Sequence, residues 1–288
     1  MNPPLRISVV VPAYNAAATL SEQLAALVEQ TFDGAWEIVV VDNASTDETS
    51  AIVREWADRV ERPEIRLVSS TDGSGPSHAR NVGIEAARAP KIACTDADDV
   101  AGQGWLDAMS RALDHHHFVA GALELDRLNP PWLVAGRGRS IDRRPIARGD
   151  LAFPHGCNFG VDRALFLQHR FDEAWRAGEE IELAYRLRAV GVRCEFEPSA
   201  LVHYRYRSGF AATFRQARIA GRAQRDLTRL GDVVAASAPT ARRVAWLIAR
   251  APRLATRSGR IRWAWVAGDL AGRWSREGPP GGRSGRRS

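Results

Sequence analysis

Two nearly uninterrupted apolar runs, Ile7-Ser8-Val9-Val10-Val11 and Ile38-Val39-Val40-Val41, restrict the folds open to this chain more than any other feature. Neither alternates polar with apolar residues, as a strand with one wet face would, and both are too short for a buried helix. Both are rich in β-branched side chains, and each gives way to polar residues. Runs of this kind are strands buried on both faces, and such strands belong to parallel sheets covered by helices. The expectation is an α/β domain. Its first strand ends at Pro12-Ala13-Tyr14-Asn15, before a helical pattern over Ala17 to Glu29, and its second ends at Asp42.

A third buried strand, Lys91-Ile92-Ala93-Cys94-Thr95, runs into Asp96-Ala97-Asp98-Asp99. Carboxylates so placed suit a hard divalent cation, which takes one or two protein carboxylates and completes its shell with water and substrate phosphates. In open α/β sheets ligands bind beyond the carboxyl ends of the strands, and Asp42, Asp47 and Asp96 to Asp99 all map to that edge. Ser77-His78-Ala79-Arg80 opens a helix after the Gly-rich turn Asp72 to Pro76, which puts Arg80 within reach of a phosphate or base. A solvated acidic turn is the plain alternative for a D-x-D triplet standing alone. His115-His116-His117 precedes the strand Phe118 to Leu125, away from this edge, and reads as a surface turn.

At this point the chain resembles glycosyltransferase family 2, inverting enzymes of the GT-A fold. The matching residues are Val11 to Asn15, Val41 to Asp47, Ala79 to Ile84 and Asp96 to Asp99. Gly156 to Gly160, Phe171-Asp172-Glu173, Gly178 to Leu183 and Arg186 are similar to the family's acceptor half, and the likeness extends over roughly residues 6 to 207. It implies a doubly wound, mostly parallel sheet with flanking helices. It also implies a sugar donor bound as a nucleotide diphosphate, with Mn²⁺ or Mg²⁺ as cofactor.

The resemblance assigns roles residue by residue. Pro12, Ala13 and Tyr14 would wall the base, with Asn15 also in the nucleotide-sugar site, and Asp42 would accept a hydrogen bond from the base. Asp96 would lie nearer the ribose, with Ala97 beside it in the nucleotide-sugar site. Asp98, with Asp99, would hold the metal, joined by His203 in Val202-His203-Tyr204-Arg205 after a strand expected over Val192 to Glu197. Asp42 and Asp47 have a turn or helix-cap reading beside the binding one, Arg80 a solvated one and His203 a structural one. On the acceptor side the candidates are Asn158, Glu179 and Arg205, with Glu180 as general base. Family members usually have Glu-Asp where this chain has Glu179-Glu180, so the base would sit on a longer side chain at the start of a helix running to Val190.

Charge separates the two ends of the chain. Residues 239–288 hold twelve Arg against Asp269 and Glu277, a net of +10 against +6 for the whole, so residues 1–238 carry −4. Val244, Leu247, Ile248, Ala251 and Leu254 share one helical face, with Arg243, Arg250, Arg253 and Arg257 opposite, until Pro252 kinks or ends the helix. After a break at Ser258-Gly259, Trp263, Val266, Ala267, Leu270 and Trp274 form a second stripe. Such segments either dock on an anionic membrane surface or pack on the protein with Arg in water. Nucleic acid is not an expected partner.

The expected organisation is a catalytic domain over 1–238, divided near residue 100 into donor and acceptor halves, then a basic helical tail over 239–277 and a disordered terminus over 278–288. Cys94, Cys157 and Cys194 form no metal spacing and suit inert thiols in a reducing compartment. No leader precedes Arg6, and no apolar run reaches the roughly eighteen residues of a membrane span, so the expected location is cytoplasmic, peripheral at the inner face of the cell membrane. The function expected is transfer of a sugar to a hydroxyl-bearing glycan or lipid-linked acceptor, as in cell-envelope polysaccharide synthesis. The alternative is a non-catalytic nucleotide-sugar-binding protein or membrane-associated scaffold, and donor turnover separates the two.

Overall fold

The computed structural model describes residues 3–143, 146–148, 151–175, 177–228 and 240–275. They fall into two compact units. The first comprises residues 1–129, 139–171 and 180–205, and the second 130–138, 172–179 and 206–288.

The first unit opens with β1 (Leu5–Ala13), α1 (Leu20–Val28), β2 (Ala35–Asp42), α2 (Thr49–Arg59), β3 (Glu64–Ser69), α3 (Pro76–Ala86) and β4 (Lys91–Thr95). The four strands lie in the order β3-β2-β1-β4, all parallel. Ile7, Val9, Val10 and Val11 of β1 and Ile38 to Val41 of β2 are all fully buried, the outcome expected of apolar runs covered on both faces. Glu37 is also buried within β2. Burial works against its charge, but hydrogen bonds from Ser8, Arg66 and the Arg88 backbone and side chain outweigh it and lower its pKa.

The sheet continues through β5 (Val100–Ala101), α4 (Trp105–Ala112), β6 (Phe118–Glu124), β9 (Asn158–Asp162), α6 (Arg163–His169), α7 (Glu179–Ala189) and β10 (Glu195–His203). Its full order is β3-β2-β1-β4-β9-β6-β10-β5. The strand β9 runs antiparallel to both β4 and β6, and β10 returns parallel to β6. A separate hairpin pairs β7 (Ile146–Arg148) with β8 (Leu151–Phe153). The fold is the mostly parallel α/β sheet that the sequence leads one to expect.

One strand departs from expectation. It begins later than Val192 and runs on to His203, because its pairing with β6 shifts register between Glu197 and Leu201 and then resumes. Glu197-Pro198-Ser199 reads as a strand end in sequence; here it is an irregularity inside the strand.

The second unit gathers α5 (Pro131–Arg137), α8 (Phe210–Leu227), α9 (Thr240–Ala249) and α10 (Arg257–Trp274). A single turn of 3-10 helix, Ala251–Ala255, holds Pro252 and ends α9. The helix α10 starts earlier than the expected break: Ser258 and Gly259 lie in its first turn, and the Thr256 hydroxyl caps the Gly259 N–H at 3.0 Å. Its buried face is Ile261, Ala264, Gly268, Leu270 and Gly272, while Trp274 is exposed. Cβ atoms at Gly268 and Gly272 would collide with the carbonyls of Phe214 and Arg218 on α8, so small residues set this helix contact. Of the expected stripe, Trp263 stacks on Phe210 and Leu270 is buried, while Trp265, outside the stripe, lies under the Arg137 guanidinium, so part of the stripe packs within the unit. No helix among the described residues is long and apolar enough to cross a membrane. The boundary expected at residue 238 and the expected disordered terminus lie outside the described residues.

Candidate active site

The carboxyl ends of β1, β2 and β4 carry the predicted donor-side residues. After β1, Tyr14 is 65% exposed and Asn15 adopts a left-handed φ of 49°. That conformation lets the Asn15 side chain accept from the Thr46 N–H at 2.8 Å while its own N–H donates to the Ser45 hydroxyl at 2.9 Å. The loop after β1 is thereby clasped to the loop after β2.

The acids after β2 are well supplied with partners. Asp42 accepts from the Ser45 N–H at 3.0 Å through one oxygen and from the Ser50 hydroxyl through the other. Burial works against its charge, but the donors of Ser45 and Ser50 outweigh it and lower its pKa. Asp47 accepts from the hydroxyl and N–H of Thr49, the second at 3.0 Å, and from the Ala17 N–H at 3.0 Å. The Thr49 hydroxyl leads in lowering its pKa. Asp47 thus supports the start of α2 and the approach to α1 together.

The acids after β4 are arranged otherwise. Asp96 is ion-paired at 2.8 Å to Arg80, which is buried on α3. A Cβ at Gly156 would press on that guanidinium at 3.1 Å, so the glycine leaves room for the pair. Asp98 is exposed, whereas Asp99 is only 1% exposed. One oxygen of Asp99 accepts from the Arg205 N–H at 2.7 Å, and the other has no hydrogen-bond partner among the described residues. Burial, then the charges of Asp98 and Asp96, push its pKa well above the carboxylate range; the Arg205 N–H and the Cys157 thiol offset only part of this. Ligand atoms of Asp96, Asp99 and Cys157 lie within 4.8 Å of one another. Burial and the neighbouring acids raise the Cys157 thiol as well, which keeps it neutral.

Two side chains brace this acidic turn. Gln23, fully buried on α1, donates to the Thr95 hydroxyl and to the Asp96 carbonyl, each at 2.9 Å, and accepts from the Ala101 N–H at 2.9 Å. Arg205, just beyond β10, donates to the Asp98 carbonyl at 2.8 Å and pairs with Glu22. Its guanidinium therefore holds the acidic turn where an acceptor-side contact was expected. Sequence reading missed Gln23, although a Gln among Leu20, Leu24 and Leu27 on one helical face is a detectable signal. Cys157 keeps the inert, neutral thiol that its sequence suggests, but lies beside Asp99, which no local pattern marks.

His203 ends β10 in register with Val100, directly after the acidic turn. Its Nδ1 lies 2.6 Å from the Glu124 carboxylate. Burial works against the Glu124 charge, but the His203 ring and the N–H groups of Asp126 and Arg127 outweigh it and lower its pKa. A carboxylate on Nδ1 fixes the ring, the support that a metal-binding His usually has.

The acceptor-side candidates are dispersed. Asn158 is fully buried: its amide donates to the carbonyls of Ala122 and Ala200, both at 2.8 Å, and its oxygen accepts from the Trp105 indole at 2.8 Å. These bonds tie strands to α4 and leave the amide no N–H for an acceptor substrate. Glu179 is buried and Glu180 half-buried in the first turn of α7. Glu182, a turn on, is bound by Arg186, which also donates to the carbonyls of His169 and Arg170.

Known proteins share both the pattern and the fold. Residues 8–169 match the family model "Glycosyl transferase family 2". Among curated proteins, the succinoglycan biosynthesis protein ExoO of Rhizobium meliloti is 33% identical over 233 residues, which are 73% of this chain and 64% of that protein. ExoU of the same organism is 30% identical over 208 residues, 66% of this chain and 59% of that protein, so the chain spans less than two thirds of either relative. Among solved structures, the mannosyltransferase PcManGT of Pyrobaculum calidifontis, in complex with GDP-Man and Mn²⁺, superposes with a TM-score of 0.68 at 22% identity, covering 96% of this chain and 89% of that one. That likeness shows the GT-A fold, and the family match over more than half of the sequence places this chain in glycosyltransferase family 2.

Proposed function

We propose that the protein transfers a sugar from a nucleotide-diphosphate donor to an acceptor hydroxyl, with inversion at the anomeric carbon and dependence on a divalent metal. Asp99 is the observation that carries this reading. A carboxylate that is buried, unpartnered at one oxygen and pressed by two neighbouring acids is an incomplete electrostatic arrangement, and a cation completes it. The donor set is carboxylate and imidazole with a neutral thiol at its margin, which fits Mn²⁺ or Mg²⁺ rather than a thiolate-bound ion. Asp98, Asp99 and His203 would hold the metal, with Asp96 shared between it and Arg80. When bound, the metal neutralises the charge that builds on the diphosphate leaving group.

The remaining work falls to side chains of this chain. The exposed Tyr14 ring offers a face for the base, and Asp42 retains lone pairs for a base N–H beyond the bonds it already accepts. Arg80 fixes Asp96 so that the acidic turn meets the donor already ordered. Inversion needs a base on the acceptor's side of the sugar, and Glu180 takes the hydroxyl proton there. PcManGT carries GDP-Man and Mn²⁺, and TarS of Staphylococcus aureus, a structural neighbour at 16% identity with a TM-score of 0.54, carries UDP-GlcNAc, which supports the donor class. The succinoglycan relatives support a glycan or lipid-linked acceptor of the cell envelope, and the basic tail supports a peripheral position at the inner membrane face.

The test is a screen of UDP-, GDP- and dTDP-sugars for hydrolysis and transfer with Mn²⁺ or Mg²⁺, run alongside Glu180→Gln. The variant should lose about 10²- to 10⁴-fold in transfer with donor binding retained. Undiminished activity in excess EDTA would overturn the metal, and an undiminished Glu180→Gln rate would overturn the base.

A further inference from the structure

Within the second unit, a cavity of about 530 Å³ is lined by Ala135, Trp246, Arg250, Arg253 and Arg262 together with Thr256, Ser258 and Gly259. Among the described residues, no carboxylate lines it. Arg250, Arg253 and Arg262 have no ion-pair partner among the described residues, in a unit where Arg243 and Arg273 share Asp269 and Arg225 pairs with Asp226. Arg250 is half-buried and Arg253 and Arg262 are exposed, so three positive charges border one hollow, and arginine cannot lose its proton there. An anion offsets that charge.

The cavity is built by the backbone. A Cβ at Gly259 would collide with the Arg253 carbonyl, so the glycine lets the start of α10 close against the turn that carries Arg253. The Arg262 guanidinium rests 3.2 Å from the position of a Cβ on Gly138, whose φ of 88° favours glycine. Ser258 and Gly259 lie in the first turn of an 18-residue helix with no acidic residue in that turn, the positive end of the helix dipole. Arginine forks, the Ser258 hydroxyl and a helix N-terminus together match phosphate oxygens, while the Thr256 hydroxyl is engaged by the Arg253 carbonyl and the Gly259 N–H. The volume exceeds that of a lone phosphate and falls in the range of organic-ligand sites, while Trp246 offers an apolar wall with a polar edge.

We propose that this cavity binds a phosphate or diphosphate group attached to an organic body, with the anion at Arg250, Arg253 and Arg262 and the body against Trp246. The site lies in the second unit and does not depend on the sugar-transfer reading. Its ligand is either a soluble phosphate compound or the phosphate headgroup of a membrane lipid, and the experiment separates the two.

The full chain is titrated in metal-free buffer containing EDTA, which suppresses diphosphate binding at the acidic turn. One arm uses inorganic pyrophosphate, followed by calorimetry. The other uses phosphatidylcholine vesicles with and without phosphatidic acid, followed by sedimentation. Arg250→Gln, Arg253→Gln and Arg262→Gln are combined pairwise, and Arg257→Gln/Arg260→Gln removes equal charge at exposed positions outside the cavity. A cavity pair should weaken binding by about tenfold or more, equivalent to about 1.4 kcal/mol, and the outer pair by less than about threefold. Unchanged circular dichroism and melting in each variant guard against a folding artefact. Pyrophosphate binding alone assigns a soluble ligand, binding to phosphatidic-acid vesicles alone assigns a lipid, and binding of both assigns the phosphate group itself. Equal losses in the cavity and outer pairs, or no binding in either arm, overturn the proposal.

Discussion

The exits of β2 and β4 are both acidic, yet the protein finishes one and leaves the other open. At β2, every oxygen of Asp42 and Asp47 accepts a hydrogen bond, and both pKa values are lowered. At β4, Asp99 keeps an unpartnered oxygen inside the protein and its pKa is raised. The same residue type in the same topological place thus serves opposite ends. Donors supplied by the protein fix Asp42 in place while leaving it lone pairs for the proposed base contact, and a donor withheld leaves Asp99 open to the proposed cation.

The largest effect that could break this contrast is on transfer. Asp99→Asn keeps the shape of the side chain but removes its charge, and transfer should fall by about 10²- to 10³-fold, the scale of losing a preorganised electrostatic contact. Ser50→Ala, which takes a donor from Asp42, should leave the rate within a few-fold. Assays of both variants at saturating donor and metal check this, and equal rates for wild type and Asp99→Asn would erase the distinction.

Metal-free melting sharpens it further. In the unfolded chain both acids titrate near about 3.9. Asp99, with its raised folded pKa, costs nothing below that pH and destabilises increasingly as pH rises above it. Asp99→Asn should therefore melt higher than wild type at neutral pH, by about 2–4 °C for each kcal/mol relieved, and match it in acid. Asp42, with its lowered folded pKa, stabilises above the unfolded value and loses that contribution as pH falls through the folded one. Asp42→Asn should melt lower at neutral pH, and its deficit should close in acid. Scans across pH would show slopes of opposite sign. Added Mn²⁺ should raise the wild-type melting temperature and leave that of Asp99→Asn nearly unchanged.

The smallest expected effect is the stability of Ser50→Ala, about 1 kcal/mol for one lost hydrogen bond, read by denaturant unfolding. A cost near zero would mean that water replaces the hydroxyl readily at Asp42.

The sequence made the sheet legible because Ile7 to Val11 and Ile38 to Val41 have no polar face to place in water. It marked the acidic turn for the same reason: Lys91–Thr95 must end where Asp96 begins. It did not separate Asp98 from Asp99. Adjacent residues in a turn look alike until the Arg205 N–H, 106 positions away, meets one of them. The surroundings of Asn158 and Arg205 were not legible for a related reason, since their partners come from distant strands and a helix. On α10 the helical period was readable, but Gly268 and Gly272 carry the closest packing and score as neutral in any search for apolar stripes.

The make-up of the second unit bears on the order in which the protein comes off the ribosome. The first unit has its last residue by Arg205, so its sheet has all its strands before α8 is translated. The second must wait for α10, since the α8 carbonyls of Phe214 and Arg218 meet Gly268 and Gly272 there and Arg137 of α5 meets Trp265 there. Synthesis thus imposes a sequence of completion, sheet first and helices last, as is usual for units that fold from the N-terminus onward. A premature stop between Leu227 and Arg257 would yield a finished sheet joined to an α8 that lacks its α10 partner.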